Sequence, residues 1–370
     1  MSNACTNCCF LEECGGPVQN ELWGCHEYCI NRCDKNCQFV CSAKLREFVR
    51  RQHEVASNKL ELLEKLSVPK KMDLPVYIPK ISTNGYALDR RMDTNFVAIS
   101  LYDLFVYDGN HQYVPKFKNR FEIREKSKIK DEAKILIVSN NKDRYLERFW
   151  KYHDQANILN SLNAIDVWGI VVPNYSFFLN APRTHAIYSR KRAERIMNVF
   201  SKAGLPIIPH IQASVLYPKD WSYWTDVIRR FEEIRYISVE FGTGWNNQEF
   251  ATLAVEKLKK LTIDVDRPLS LFAIGARDVI YALSSYFQEA TLVNHTPYFK
   301  SIKRRRLCTE TKWVRVNTPK GAPISDLLDY NISEYSKYIK EKNNITILEQ
   351  YQDADAMDCN DEALPLAQNF

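Results

Sequence analysis

The chain has 370 residues, 45% of them hydrophobic and 26% charged, with a formal net charge of +6. That length exceeds one average domain and fits one large α/β barrel with attachments, and the composition excludes a disordered or fibrous chain. No apolar run reaches the length of a membrane span, and "MSNACTNCCF" lacks the charged-then-apolar layout of a signal peptide. A cytoplasmic protein with reduced thiols and no membrane partner is therefore expected.

Residues 1–42 hold nine of the eleven cysteines and are too short to build a hydrophobic core, so a bound metal is expected to hold this module together. In "CHEYCINRCDKNCQFVC", Cys25, Cys29, Cys33, Cys37 and Cys41 recur at every fourth position. On a helix, residues four apart share a side and two thiolates can share one ion, but five in succession drift around the axis. They are expected to divide into pairs completed by Cys5, Cys8 and Cys14. Zinc takes four thiolates or imidazoles and an iron–sulfur cluster takes four thiolates. Both stay open, with iron–sulfur placed first. The spacing Cys5-x2-Cys8-x5-Cys14 followed by Gly-Gly resembles the auxiliary-cluster (SPASM-type) modules of radical SAM enzymes, which implies cluster ligation. The next cysteine of that pattern is Val18 here, and the Cys-x3-Cys-x2-Cys signature of radical SAM chemistry is missing.

From 43 to 68 apolar residues at helical spacing predict a connecting helix, broken by "SVPKKMDLP". Then short runs rich in Val, Ile and Phe recur at 76–82, 96–105, 133–139, 166–176, 205–213, 236–242, 268–275 and 290–297, most of them separated by amphipathic stretches. Continuous apolar strands alternating with helices mean a parallel sheet covered on both faces, and eight of them match a closed (β/α)8 TIM-like barrel over residues 69–322. An open doubly wound sheet is the alternative, without a dinucleotide fingerprint to support it. A C-terminal helical extension is expected over 323–355, and the acidic tail 356–370 is expected to be disordered.

In such a barrel the reactive residues stand at the C-terminal ends of the strands. That rule selects Ser82 and Asn84, Asp103, Asn140, Asn141 and Asp143, Asn174 and Ser176, His210 and Gln212, Glu240 with the glycines Gly242 and Gly244, Asp278, and Asn294 with His295. Each alone reads more readily as a loop cap or a hydrogen-bonded core polar group. Together they give amides and a glycine-rich turn with few carboxylates. Asn and Gln pair with base edges, and a glycine turn admits a flat ring or a ribose close to the backbone.

Two resemblances follow from these residues. "GIVVPNYSFFLNAPRTHAIYSRKRAERIMNVFSKAGLPIIPHI" resembles the bacterial and phage domain-of-unknown-function family 4417 over about residues 160–310, with Asn174 at that family's Asp position; it implies no established chemistry. "PLSLFAIGARDVIYALSSYFQEATLVNHTPYFKSIKRRR" is similar in layout to the end of the tRNA-guanine transglycosylase barrel. That likeness implies base recognition at Asn174 and Gln212, a ribose turn at Gly242 and Gly244, and a nucleophile at Asn294. An amide cannot act as that nucleophile, which leaves three readings: the likeness is shared barrel architecture alone, the chemistry has moved to Glu240, Asp103 or His295, or the site binds a base without cleaving it.

The expected function is action on a nucleobase or nucleotide-like substrate, within tRNA or DNA, by base exchange or N-glycosidic cleavage. Glu240 or Asp103 would supply the carboxylate and His295 the acid/base. The basic runs "YSRKRAER", with Arg190 and Arg192, and "KRRR", Lys303, Arg304, Arg305 and Arg306, are expected to contact phosphates, a solvated face being the bland alternative. One other expectation is a non-catalytic metal-containing binding or sensor subunit of a phage-defence or mobile-element system, with protein partners. Another is an iron–sulfur redox enzyme.

Overall fold

The structure, a computed structural model, describes residues 54–55 and 65–358, apart from 85–86, 111, 177–182, 216, 242–247, 276–279, 310–311 and 320. The eight candidate metal ligands Cys5, Cys8, Cys14, Cys25, Cys29, Cys33, Cys37 and Cys41 lie outside the described residues, as do Gly242, Gly244, Asp278 and most of the expected connecting helix.

Eight parallel strands form one sheet: β1 Tyr77–Ile81, β2 Phe96–Ser100, β3 Lys134–Val138, β4 Gly169–Val171, β5 Ile207–Ile208, β6 Tyr236–Glu240, β7 Ser270–Ile274 and β8 Glu289–Asn294. Neighbours follow chain order from β1 to β5 on one side, and β8, β7 and β6 continue from the other edge of β1. The ring closes between β5 and β6. There His210 bridges Ser238, the Ser238 N–H donates to Pro209 O (2.9 Å), and the Ile211 N–H donates to Ser238 O (2.9 Å). This is the expected TIM-like α/β barrel in its eight parallel strands.

The strands are mostly apolar because both of their faces are covered. Alternate residues point to opposite faces. Thus Phe96 and Ala98 join Ile78, Leu136, Val138, Val171, Ile208, Tyr236, Phe272, Ile274 and Val293 in a core inside the ring. Val97, Ile99, Ile135, Ile137 and Leu292 instead pack outward with the helices.

The crossovers carry α1 Arg120–Ser127, α2 Asp143–Trp150, α3 Ala156–Ala164, α4 Arg183–Lys202, α5 Pro218–Arg230 and α6 Gln248–Val265. Asn119 caps α1 by accepting from the Phe121 and Glu122 N–H groups (both 3.0 Å). After α4, Gly204 takes φ 75°, which lets the chain reverse into β5. Among the described residues no helix links β1 to β2 or β7 to β8; loops and turns cover those crossings.

After β8 come the short helix α7 Thr296–Ile302, an antiparallel hairpin (Arg305–Thr309 with Lys312–Arg315) and the long helix α8 Ser325–Asp358. The apolar run 96–105 does not stay one strand. It leaves the barrel at Ser100, passes through a 3-10 turn (Leu101–Leu104), and enters a second hairpin, Phe105–Tyr107 with Tyr113–Pro115. Among the described residues no helix is long and apolar enough to cross a membrane.

Candidate active site

The period-2 alternation that builds the inner core also fills the mouth of the barrel. Lys80 follows Ile78, Asn140 follows Val138, Glu240 follows Tyr236 and Ser238, and His295 follows Val293. Each therefore continues an inward-pointing row at the C-terminal end of its strand. All four line a cavity of about 460 Å³, with Gly275, Thr296 and Trp313 among its other walls. Gly275 ends β7 with φ 81°, a conformation other residues rarely adopt, and its N–H donates to Val293 O (3.1 Å).

Glu240 is the fixed point of the mouth. Asn140 Nδ2 donates to its Oε1 (3.2 Å) and Asn174 Nδ2 donates to its Oε2 (2.8 Å), so two amides from the ends of β3 and β4 hold a carboxylate on β6. Asn140 Oδ1 is buried without a partner among the described residues. Lys80 is partly buried, and burial lowers the pKa of its ammonium, opposed by the charges of Asp103 and Glu240. Burial, and then the charge of Lys80, lowers the pKa of the His295 imidazole, which favours its neutral form. Asp103 sits on the turn after β2. Partial burial of its carboxyl raises the pKa, opposed by Lys80 and Lys116. Lys116 in turn donates to Thr83 Oγ1 (2.8 Å) and Asn84 Oδ1 (2.7 Å), tying the hairpin to the loop after β1. The arrangement can therefore offer one positioned carboxylate, an amine and an imidazole that can exchange protons, and amide walls.

Several expected site residues lie elsewhere. Asn294 shares its face of β8 with Leu292, not with Val293, so it turns out of the barrel. Its Nδ2 donates to the Tyr335 hydroxyl of α8 (3.1 Å) and its Oδ1 accepts the Thr296 N–H (3.0 Å), which commits the amide to holding α7 and α8. It edges the cavity but does not face Glu240 across the ring. Gln212 is buried in the wall, where Nε2 donates to Pro173 O (2.7 Å). Asn174 spends its donor on Glu240 and does not line the cavity.

Arg190 and Arg192 do not form an open basic face. Arg190 is buried against Asp220 (2.8 Å) and stacks on Tyr223; Arg192 is buried against Glu147 (2.6 Å), over Tyr175 and Tyr188. Arg304 takes φ 52° and ties down the following loop through Thr318 Oγ1 and Ala322 O (both 2.6 Å). Lys303, Arg305 and Arg306 are exposed, and the hairpin that carries the two arginines also carries Trp313 to the cavity wall. Lys80 was not among the expected residues. Its signal was a lone charge inside the apolar run "VYIPKIS", in phase with the inward Ile78.

A larger cavity, about 560 Å³, opens at the other end of the barrel beside Arg120, Arg124, Lys134 and Trp168. It lies at the start of the strands, the face that serves stability in this fold. Among the described residues no three His, Cys, Asp or Glu side chains stand together as a metal site.

In comparisons with known proteins, no family model matches the chain and no curated protein matches it. Among solved structures it is similar to a candidate sugar phosphate isomerase/epimerase from Anabaena variabilis ATCC 29413. The identity is 9% and the TM-score 0.31, over 57% of this chain and 77% of that one.

Proposed function

We propose that the barrel mouth binds a nucleobase or nucleotide-like substrate and works on its N-glycosidic bond, with Glu240 as the carboxylate. One observation carries this reading: both oxygens of Glu240 are held by amides from two other strand ends, in the wall of an open cavity. A carboxylate fixed in this way can stabilise the positive charge that develops at an anomeric carbon. His295, favoured in its neutral form, is suited to move a proton to or from the leaving base. Trp313 offers an aromatic surface on which a flat ring can stack. The cavity, about 460 Å³, is of the size that takes a small-molecule ligand.

Release of free base from nucleosides, tRNA and DNA, followed by chromatography, tests the reading. Glu240→Gln keeps the shape and removes the charge, and should lower release by about 10²–10⁴-fold. Full activity in that variant would end the assignment. A second reading, a binding or sensor subunit without catalysis, is favoured by Asn294, an amide committed outward, so that the C-terminal end of β8 offers no carboxylate. Ligand binding with no base release from the native protein would select it. In either reading the cysteine module is proposed to hold iron–sulfur clusters or zinc. Brown protein after purification without air supports clusters, colourless protein with stoichiometric zinc supports zinc, and metal-free folded protein removes the module's metal.

A further inference from the structure

Lys80 is the least expected residue of the mouth. A lysine that points into a barrel loses hydration, a cost that a close ion pair normally offsets. Among the described residues no carboxylate oxygen lies within ion-pair distance of its Nζ, although Asp103 and Glu240 both act on it electrostatically. The oxygens of Glu240 accept instead from Asn140 and Asn174. The amine is thus held in a cavity wall beside His295, flanked by carboxylates but bonded to neither. A lysine retained in such a place without a structural partner has the setting of a nucleophile.

We infer that Lys80 forms an imine with a small hydroxy-aldehyde or hydroxy-ketone bound in the mouth, His295 moving the protons. The ammonium of Lys80 gives one proton to the neutral imidazole. The freed lone pair then forms the C–N bond to the carbonyl carbon, and the carbonyl π electrons move to oxygen. One proton passes from nitrogen to that oxygen, giving a carbinolamine. His295 returns its proton to the hydroxyl, which leaves as water while the nitrogen lone pair forms the C=N bond. An ammonium and a carbonyl become a protonated imine and water, with no oxidant or reductant required. The hydroxyl groups of the substrate find acceptors in Glu240 and in Asn140 Oδ1, which is buried without a partner. This activity is independent of the base reading, since it needs a carbonyl and no glycosidic bond.

The test is reductive trapping on the full chain with glyceraldehyde and sodium cyanoborohydride, followed by peptide mass mapping. Lys80 should be modified at least about 10-fold faster than the exposed Lys71 and Lys118, because it shares the cavity wall with the His295 imidazole. Labelling of Lys80 no faster than those two would overturn the inference. His295→Ala leaves the lysine in place and should bring its rate down to theirs. A His295→Ala protein in which Lys80 keeps its full advantage would overturn it equally. Base release is not read in this experiment, so its failure leaves the assignment of Glu240 standing.

Discussion

On α4, Arg190 meets Asp220 with both side chains only 1% exposed, Lys191 pairs with Glu194, and Arg192 lies under aromatic rings with Glu147 at its head. On the hairpin after α7, Arg305 and Arg306 are exposed, with no ion pair to either among the described residues, and Arg306 rests on the Tyr330 ring. The two segments read alike as sequence, "SRKRAER" and "KRRR". What separates them is the position of their partners. Asp220 is 30 residues from Arg190 and Glu147 is 45 from Arg192, brought in by neighbouring crossovers. Arg190 and Arg192 are buried where the fold delivers an anion to each from another helix, and local composition carries no record of those two partners.

The largest effect expected from this contrast is at Arg190. Arg190→Ala takes a buried guanidinium away from the buried Asp220 carboxylate, which keeps the Ser214 N–H (3.0 Å), and should cost about 3–5 kcal/mol in urea unfolding. A loss under about 1 kcal/mol would mean that the burial of the pair is not structural.

His210 sharpens the comparison, because it is a buried basic group to which no anion was delivered. Its Nδ1 lies 2.9 Å from Ser238 Oγ, and burial pushes its pKa down to about 3. The folded value lies below the unfolded one, so the unfolded chain takes up the proton first as pH falls. The contribution to stability is complete above pH ~6.5 and declines by about 1.4 kcal/mol per unit below it, until the pH nears the folded value. His210→Gln should flatten that slope in unfolding measured from pH 7 to 4; an unchanged slope would place the acid sensitivity elsewhere.

The smallest effect on stability belongs to the hairpin. Replacing Arg305 and Arg306 together with Ala should change unfolding by about 0.5 kcal/mol or less. If these side chains meet phosphates, the same variant should reduce the slope of log binding constant against log salt by about 0.9 for each phosphate no longer neutralised. Binding to tRNA or duplex DNA with an unchanged slope would leave the exposed arginines as solvated surface.

Each of the eight apolar runs read from the sequence coincides with a barrel strand, because a strand covered on both faces is apolar at most of its positions and announces itself. Where each run ends is less visible. The run 96–105 carries Phe105 as if it were strand, yet Ser100 ends the barrel segment and Asp103 rides a turn to the rim. At the site, the rule that chemistry sits at strand ends led to Glu240 and His295, but not to the parity that separates them from Asn294. Parity is set by which neighbours point inward, and where both faces of a strand are mostly apolar the residue types do not mark the inward ones. Lys80 was legible only once Ile78 was known to face the axis. The partners of Arg190 and Arg192 depend on tertiary contacts and could not be read locally.

The ring is thinnest between β5 and β6, which share a single bridge, where β1–β2, β3–β4 and β4–β5 each pair two residues. β2 and β3 share a register of five residue pairs, from Phe96↔Lys134 to Ser100↔Val138, whereas β5 pairs two residues with β4 and meets β6 through the His210–Ser238 bridge. A closed ring under thermal agitation parts at its weakest link, and the other seven joints can stay zipped while that one opens. The amide protons of Ile211 and Ser238, which cross the joint, should exchange with deuterated solvent before those of the β2–β3 ladder. The barrel would then breathe as a hinged trough, with His210 on the lip that meets water first.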